Sequence, residues 1–242
     1  ILTAFLSVSV PVFFMISGAM LLGGSKPLTV GSVYRRRLPK VFLPFLLWSL
    51  LAVLYYALRD LFFLGGMDSG MLAEKLVYMP TRPVMVHLWF MYVLIPIYIL
   101  LPILKKLADF MDKKILRYLL AVWLVFSVVL PTVKSVIPEG YQSILEAGQT
   151  FSLDFLGGYL GYFFLGHYLH KYKVRVSKKF LVLIILIDTL FVSFATWYAT
   201  INEGAYTEVF KKYTGLCTVV LASAVFLLVK KLFTGIQMPR KV

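Results

Sequence analysis

The chain has 242 residues, of which 60% are hydrophobic and only 15% charged, with a net charge of +14 and a mean hydropathy of +0.86. A water-soluble globule of this composition would have too little polar surface to cover itself, so the composition points to a multi-span membrane protein. Nucleic-acid binders spread a basic excess through a polar chain rather than between long apolar runs, so no nucleic-acid partner is expected, and the single cysteine, Cys217, excludes an intramolecular disulfide or a multi-cysteine metal site.

A helix needs about 20 apolar residues to cross the hydrocarbon core, and windows of that kind follow one another along the whole chain. Seven are placed, at 3–23, 41–63, 87–104, 115–137, 151–171, 180–200 and 214–233. The apolar runs are continuous rather than alternating, which predicts helices and not barrel strands. The expected fold is all-α: a polytopic transmembrane helical bundle forming one domain over residues 1–242. The longest connection, 64–86, contains GGMDSG and PTRP and reads as a loop.

Lys and Arg set the orientation. Lys26, Arg35, Arg36, Arg37 and Lys40 follow the first window, Lys105, Lys106, Lys113, Lys114 and Arg117 the third, and Lys171, Lys173, Arg175, Lys178 and Lys179 the fifth. With Lys230, Lys231, Arg240 and Lys241 these make nineteen of the 25 basic residues, against six at the alternate ends: Arg59, Lys75, Arg82, Lys134, Lys211 and Lys212. Basic loops are retained in the cytoplasm, so the N-terminus is expected outside and the C-terminus inside. The start at Ile1, already apolar, and the abrupt end GIQMPRKV are expected to be cuts in a longer polypeptide.

No P-loop, HExxH or GxSxG motif is present, which leaves ionisable groups in or beside the spans as candidates. Arg35, Arg36, Arg37 and Lys40 read either as a topogenic anchor snorkelling to anionic headgroups or as a phosphate clamp at a helix start. Arg37 and Lys40, three apart, share a face if the helix extends back through Pro39. His87 opens the third window beside Trp89 and Tyr92, as an aromatic-belt residue or as a group handling protons or a polar acceptor. His167 and His170 have the spacing of two metal ligands but no evident third, so interfacial packing is preferred and no metal is expected. Asp188 is the carboxylate deep within a span, facing a partner or a water-filled cavity in an acceptor-side role, or structural as a protonated Asp bonded to a neighbouring helix, whereas Asp154 lies near an outer end. Gly157 and Gly161 have small-xxx-small spacing for close helix contact.

Four blocks, VPVFFMISGAMLL, VYRRRLPKVFLPFLLW, HLWFMYVLIPIYILLPIL and FLGGYLGYFFLGHYL, resemble in their order and separation the acyltransferase 3 family of integral membrane acyltransferases. The family has about ten membrane helices with both ends in the cytoplasm, which the seven windows match as helices two to eight. The resemblance implies transfer of an acyl group, usually acetyl, from cytoplasmic acyl-CoA to a hydroxyl of an extracytoplasmic glycan or lipid-linked sugar, at the bacterial inner membrane. The family's RxxR motif falls on Arg37 and Lys40, with Lys keeping the charge but losing the bidentate fork. Arg36, Arg37 and Lys40 are thereby implied to hold the CoA phosphates, with His87 and Trp89 in a structural or acceptor-side role. The family's catalytic His is expected in a first helix before Ile1, so no catalytic residue is assigned here. The chain alone is therefore expected to be inactive in acetyl-CoA-dependent O-acetylation. Two further readings remain: a transporter or exporter, with Asp188, Pro96, Pro102 and Pro131 in broken helices lining a path, and the membrane module of a larger fusion protein.

Overall fold

Thr29, Asp112 and Ser177 are residue types whose side-chain oxygen can close the first turn of a helix, and each does so. Thr29 Oγ1 accepts from Ser32 N at 3.2 Å, Asp112 Oδ1 from Ile115 N at 2.7 Å and Ser177 Oγ from Phe180 N at 3.1 Å. The structure, a computed structural model, describes residues 5–25, 27–63, 66, 69–135, 137, 158–204, 206 and 208–233. Among these residues the regular elements are all helical. They are α1 Ser9–Gly23, α2 Val30–Phe63, α3 Ser69–Tyr78, α4 Trp89–Phe110 entered by a tight turn Val86–Leu88, α5 Lys113–Lys134, α6 Gly158–Lys171, α7 Lys178–Glu203 and α8 Leu216–Phe233.

Each apolar window holds a helix, and five helices are long and apolar enough to cross a membrane: Val30–Phe63, Val86–Phe110, Lys113–Lys134, Lys178–Asn202 and Leu216–Phe233. The protein is thus a multi-pass membrane protein. In α1 and α6 the described helix is shorter, 15 and 14 residues. The first residues of their windows, with Asp154 and Gly157, lie outside the described residues.

Three boundaries differ from the sequence expectation. The connection 64–86 contains the ten-residue helix α3. Helix α4 runs on to Phe110 and takes Lys105 and Lys106 out of the loop, because the next helix is not capped until Asp112. Helix α2 begins at Val30, so the run VYRRR is helical, in a widened turn over Val33–Arg37.

That widened turn has a local cause. Proline lacks an N–H, and in a regular helix its ring collides with the carbonyl four residues back. Before Pro39 the N–H of Leu38 reaches five residues back to Val33 O at 2.9 Å, which moves the obstructing carbonyl away. The same device recurs at Leu124–Val129, where Leu130 N bonds Val125 O immediately before Pro131. Pro96 and Pro102 sit inside the continuous helix α4, so the broken helices invoked for a transport path are absent among the described residues here.

The chain divides into two compact units, Lys26–Leu107 and Ile1–Ser25 with Ala108–Val242. In the first, α2 and α4 run antiparallel: the rings of Phe45 and Tyr92 meet edge-on at 5.2 Å, and α3 folds back over Ala52, Val53, Tyr56 and Val84 through Leu72 and Met79. The Tyr92 hydroxyl donates to Met79 O and, at 2.9 Å, to Arg82 O, which ties the turn after α3 to α4.

In the second unit α1 and α6 pack backbone against backbone. A Cβ added at Gly18 would stand 1.8 Å from Phe163 O, and one at Gly166 would stand 2.0 Å from Met15 O. The pair Phe14–Tyr159 at one end and Gly23–His170 at the other make these helices parallel. Helix α8 joins them in the same direction: Tyr162 OH donates to Tyr213 O at 2.7 Å, and Lys230 Nζ donates to Leu169 O at 2.7 Å and His170 O at 2.9 Å. A lysine at the carbonyl end of α6 satisfies orphan acceptors and opposes the negative end of the helix dipole. Helix α5 runs the other way, with Arg117 Nε on Tyr168 OH at 2.9 Å and Trp123 Nε1 on Gly158 O at 3.1 Å. Helix α7 is likewise antiparallel to α8, since Lys231 Nζ bonds Val176 O near its start. It ends on Gly204, whose φ of +67° is a left-handed conformation that glycine adopts without strain. Within this unit α1, α6 and α8 thus run one way and α5 and α7 the other.

Candidate functional site

The basic cluster sits in the first turns of α2. Val33, fully buried, anchors the widened turn, and around it Arg35, Arg36 and Lys40 are exposed while Arg37 is partly buried. The helix extends back through Pro39, so the condition for Arg37 and Lys40 to share a face is met. Asp60 is the first carboxylate of the chain, so nothing earlier on α2 neutralises the cluster. Cations near a helix N-terminus also oppose its dipole. An anion bound there would relieve both costs at once, through guanidinium forks and charge.

Arg37 differs from the other cations of the cluster in being partly buried. It lies within electrostatic reach of Tyr98, nine residues into α4 and so about 14 Å along that helix from Trp89. Seven residues on, Lys105 lies on the same face of α4 and is 96% removed from solvent, at 4% exposure. The sequence reading counted Lys105 as a loop cation. Its register in the buried stripe Leu94, Ile97, Leu101, Leu104 and Ala108 was the available signal.

His87 is exposed on the turn Val86–Leu88, and Trp89 is partly buried at the start of α4. They lie on the same helix as Tyr98, but His87 is eleven residues away, about 16 Å along the axis. The structure thus brings Arg36, Arg37 and Lys40 together and sets His87 and Trp89 apart from them.

At the far end of α2 is a group the sequence reading missed. Asp60 is only 2% exposed and receives Nε of Arg59 at 2.8 Å and Nη2 at 2.5 Å. The Arg59 guanidinium also lies 5.0 Å from the Tyr56 ring, against which Lys75 of α3 places its ammonium at 4.1 Å. Adjacent residues face different directions on a helix, and this hid the pair from a reading by spacing. The asymmetry in burial gives a prediction. Arg59→Ala strands a buried carboxylate and should cost about 3 kcal/mol. Asp60→Ala leaves a guanidinium that is 37% exposed and should cost about 1 kcal/mol or less. Thermal unfolding of the two variants in one detergent checks the order.

Asp188 belongs to the other unit, halfway along α7, within electrostatic reach of Cys217 of α8. Its Oδ2 is buried without a hydrogen-bond partner among the described residues. His167 is buried at 2% exposure between helices, whereas His170 is exposed on the last turn of α6. Gly161 meets the indole of Trp123, the close approach expected of a small residue on that face. Among the described residues no three His, Cys, Asp or Glu side chains are placed to hold a metal ion.

Comparison with known proteins adds one finding. The family model described as an acyltransferase domain, acyltransferase 3, matches residues 1–240 and so runs through both units. Searches of curated proteins and of solved structures returned no significant match.

Proposed function

The chain belongs to the acyltransferase 3 family, and on that premise we propose that it moves an acyl group, acetyl by preference, from cytoplasmic acyl-CoA to a hydroxyl of an extracytoplasmic glycan or lipid-linked sugar in a bacterial inner membrane. The observation that carries the reading is a basic turn at the start of α2 with no carboxylate before it in the chain, in which Arg37 is partly buried and Arg35, Arg36 and Lys40 are exposed. Arg36, Arg37 and Lys40 hold the phosphates of CoA, and Lys105, two helical turns from Tyr98, supplies a further positive charge on the same face of α4 as Tyr98.

The chemistry asked of the protein is then positional. Holding the phosphates fixes the donor so that its thioester reaches toward the helix interior, where the acceptor hydroxyl oxygen attacks the thioester carbonyl, the C–S bond breaks, and the hydroxyl proton ends on the departing sulfur as CoA thiol. His87 and Trp89 precede Tyr98 on α4 by about 16 and 14 Å, on the side proposed for the acceptor. An exposed imidazole and a half-buried indole suit a polar, ring-bearing acceptor.

The test is transfer itself. Full-length protein supplied with acetyl-CoA labelled in the acetyl group and with cell-envelope glycan should place base-labile label on the glycan. Label that is released only as acetate, or that crosses the membrane without becoming ester, would refute the assignment.

A further inference from the structure

Helices α1, α6 and α8 enclose a groove that plays no part in the site described above. Its volume is about 510 Å³, and its walls are Val12, Ile16, Ala19, Met20, Phe226 and Val229, with Gly23, Gly24, His170 and Lys230 at one end. That end is where the three parallel helices finish together.

We propose that this groove binds one acyl chain of an anionic phospholipid, with the phosphate group lying at the basic helix ends. The apolar length and the volume fit a single chain: a methylene occupies roughly the 30 Å³ of a water molecule, so the groove takes about 17 of them. The groove is open along its side, because Met20 is 73% and Val229 44% exposed, so a lipid enters laterally from the bilayer. Charge selects the headgroup. Helices α1, α6 and α8 contain no Asp or Glu, and neither does the segment after α6, whereas His170, Lys171, Lys173, Arg175, Lys230 and Lys231 cluster in the last turns and that segment. Lys230 and Lys231 are engaged with backbone carbonyls at this end, which fixes the position of their charges. Basic pockets between membrane helices on the cytoplasmic side are suited to phosphate-bearing lipids.

The test uses full-length protein inserted in mixed phosphatidylglycerol and phosphatidylcholine vesicles, extracted in mild detergent and weighed by native mass spectrometry. One phosphatidylglycerol should stay with each chain, preferred over phosphatidylcholine by about fivefold for every cation that faces the phosphate. Met20→Trp and Val229→Trp fill the groove from its open side and should lose the retained lipid while eluting as folded protein. Lys171→Gln should keep the lipid but reduce the preference by about fivefold. Equal retention of the two lipids by the unaltered protein, or tryptophan variants that retain phosphatidylglycerol unchanged, would overturn the proposal. So would displacement of the lipid by stoichiometric palmitoyl-CoA, which would assign the groove to a long acyl donor. Because the readout is bound lipid, the outcome does not depend on the acyl-transfer reading.

Discussion

Full-length protein carrying Gly166→Ala will lose about 3 kcal/mol of stability, near the upper end for overpacking, and Gly166→Leu will yield no folded material. The reason is what the added carbon meets. A Cβ at Gly166 stands 2.0 Å from the carbonyl oxygen of Met15 and 2.5 Å from two further atoms of the same backbone. At Gly18 the corresponding atoms belong to the backbone of Phe163, the nearest at 1.8 Å. A flexible side chain can swing aside; a helix backbone can yield only by moving the helix. To reach ordinary contact, α1 and α6 must separate by more than an ångström over a surface that includes Phe14, Met15, Leu22, Phe163 and Phe164, all buried. Packing of this kind drives helix association in membranes, where no hydrophobic effect holds helices together. Gly31 is the control: nothing lies within 4 Å of a Cβ there, so Gly31→Ala on α2 should be neutral or stabilise by up to about 1 kcal/mol. Thermal unfolding in detergent measures all of them, and a Gly166→Ala protein as stable as the parent would show that the two backbones are not in contact.

Arg37→Ala should raise the KM for acyl-CoA about 10- to 100-fold and leave kcat nearly unchanged, as expected when one charge-assisted hydrogen bond worth about 1.5–3 kcal/mol is lost equally from bound substrate and transition state. Arg37→Lys keeps the charge without the planar fork and should fall between the two. Lys40→Arg restores a fork at the next position on the same face and should match or improve on the parent. An anchor would behave differently. Any cation would then serve at either position, acyl-CoA binding would be unaffected, and the change would appear in membrane orientation, which site-directed labelling of loop residues reports. Arg35, which is exposed on the same turn and is not assigned to the phosphates, provides the internal comparison.

Much of this was legible in the sequence because membrane helices obey two strong rules. A continuous apolar run must satisfy its own backbone, which makes it a helix, and loop cations set its direction; the windows and the alternation of α1 and α5 to α8 follow from these. The boundaries were less legible because they depend on single polar atoms. Asp112, by capping α5, decides that Lys105 and Lys106 stay in α4. The apolar-run criterion could not see α3, which is short and mixed, yet it packs Leu72 and Met79 on α2. In the site, spacing marked Arg37 and Lys40 correctly as neighbours on a helix. It could not say that Arg37 alone among the four cations is partly buried, because that depends on tertiary packing around the wider turn before Pro39. Asp60 escaped for the same reason: its burial and its bond to the adjacent Arg59 are set by tertiary packing rather than by periodicity.

The central proposal, that the turn around Arg37 grips acyl-CoA on the cytoplasmic side for transfer to an acceptor beyond the membrane, is tested most directly by membrane vesicles of known orientation. Acetyl-CoA labelled in its acetyl group is supplied to the outside of inverted vesicles, which expose the cytoplasmic face, and of right-side-out vesicles, each containing full-length protein with or without Arg37→Ala. The account predicts esterified label on glycan only in inverted vesicles, reduced about 10- to 100-fold by the substitution at subsaturating donor. Labelling that is equal in both orientations, or that is indifferent to Arg37, would contradict it.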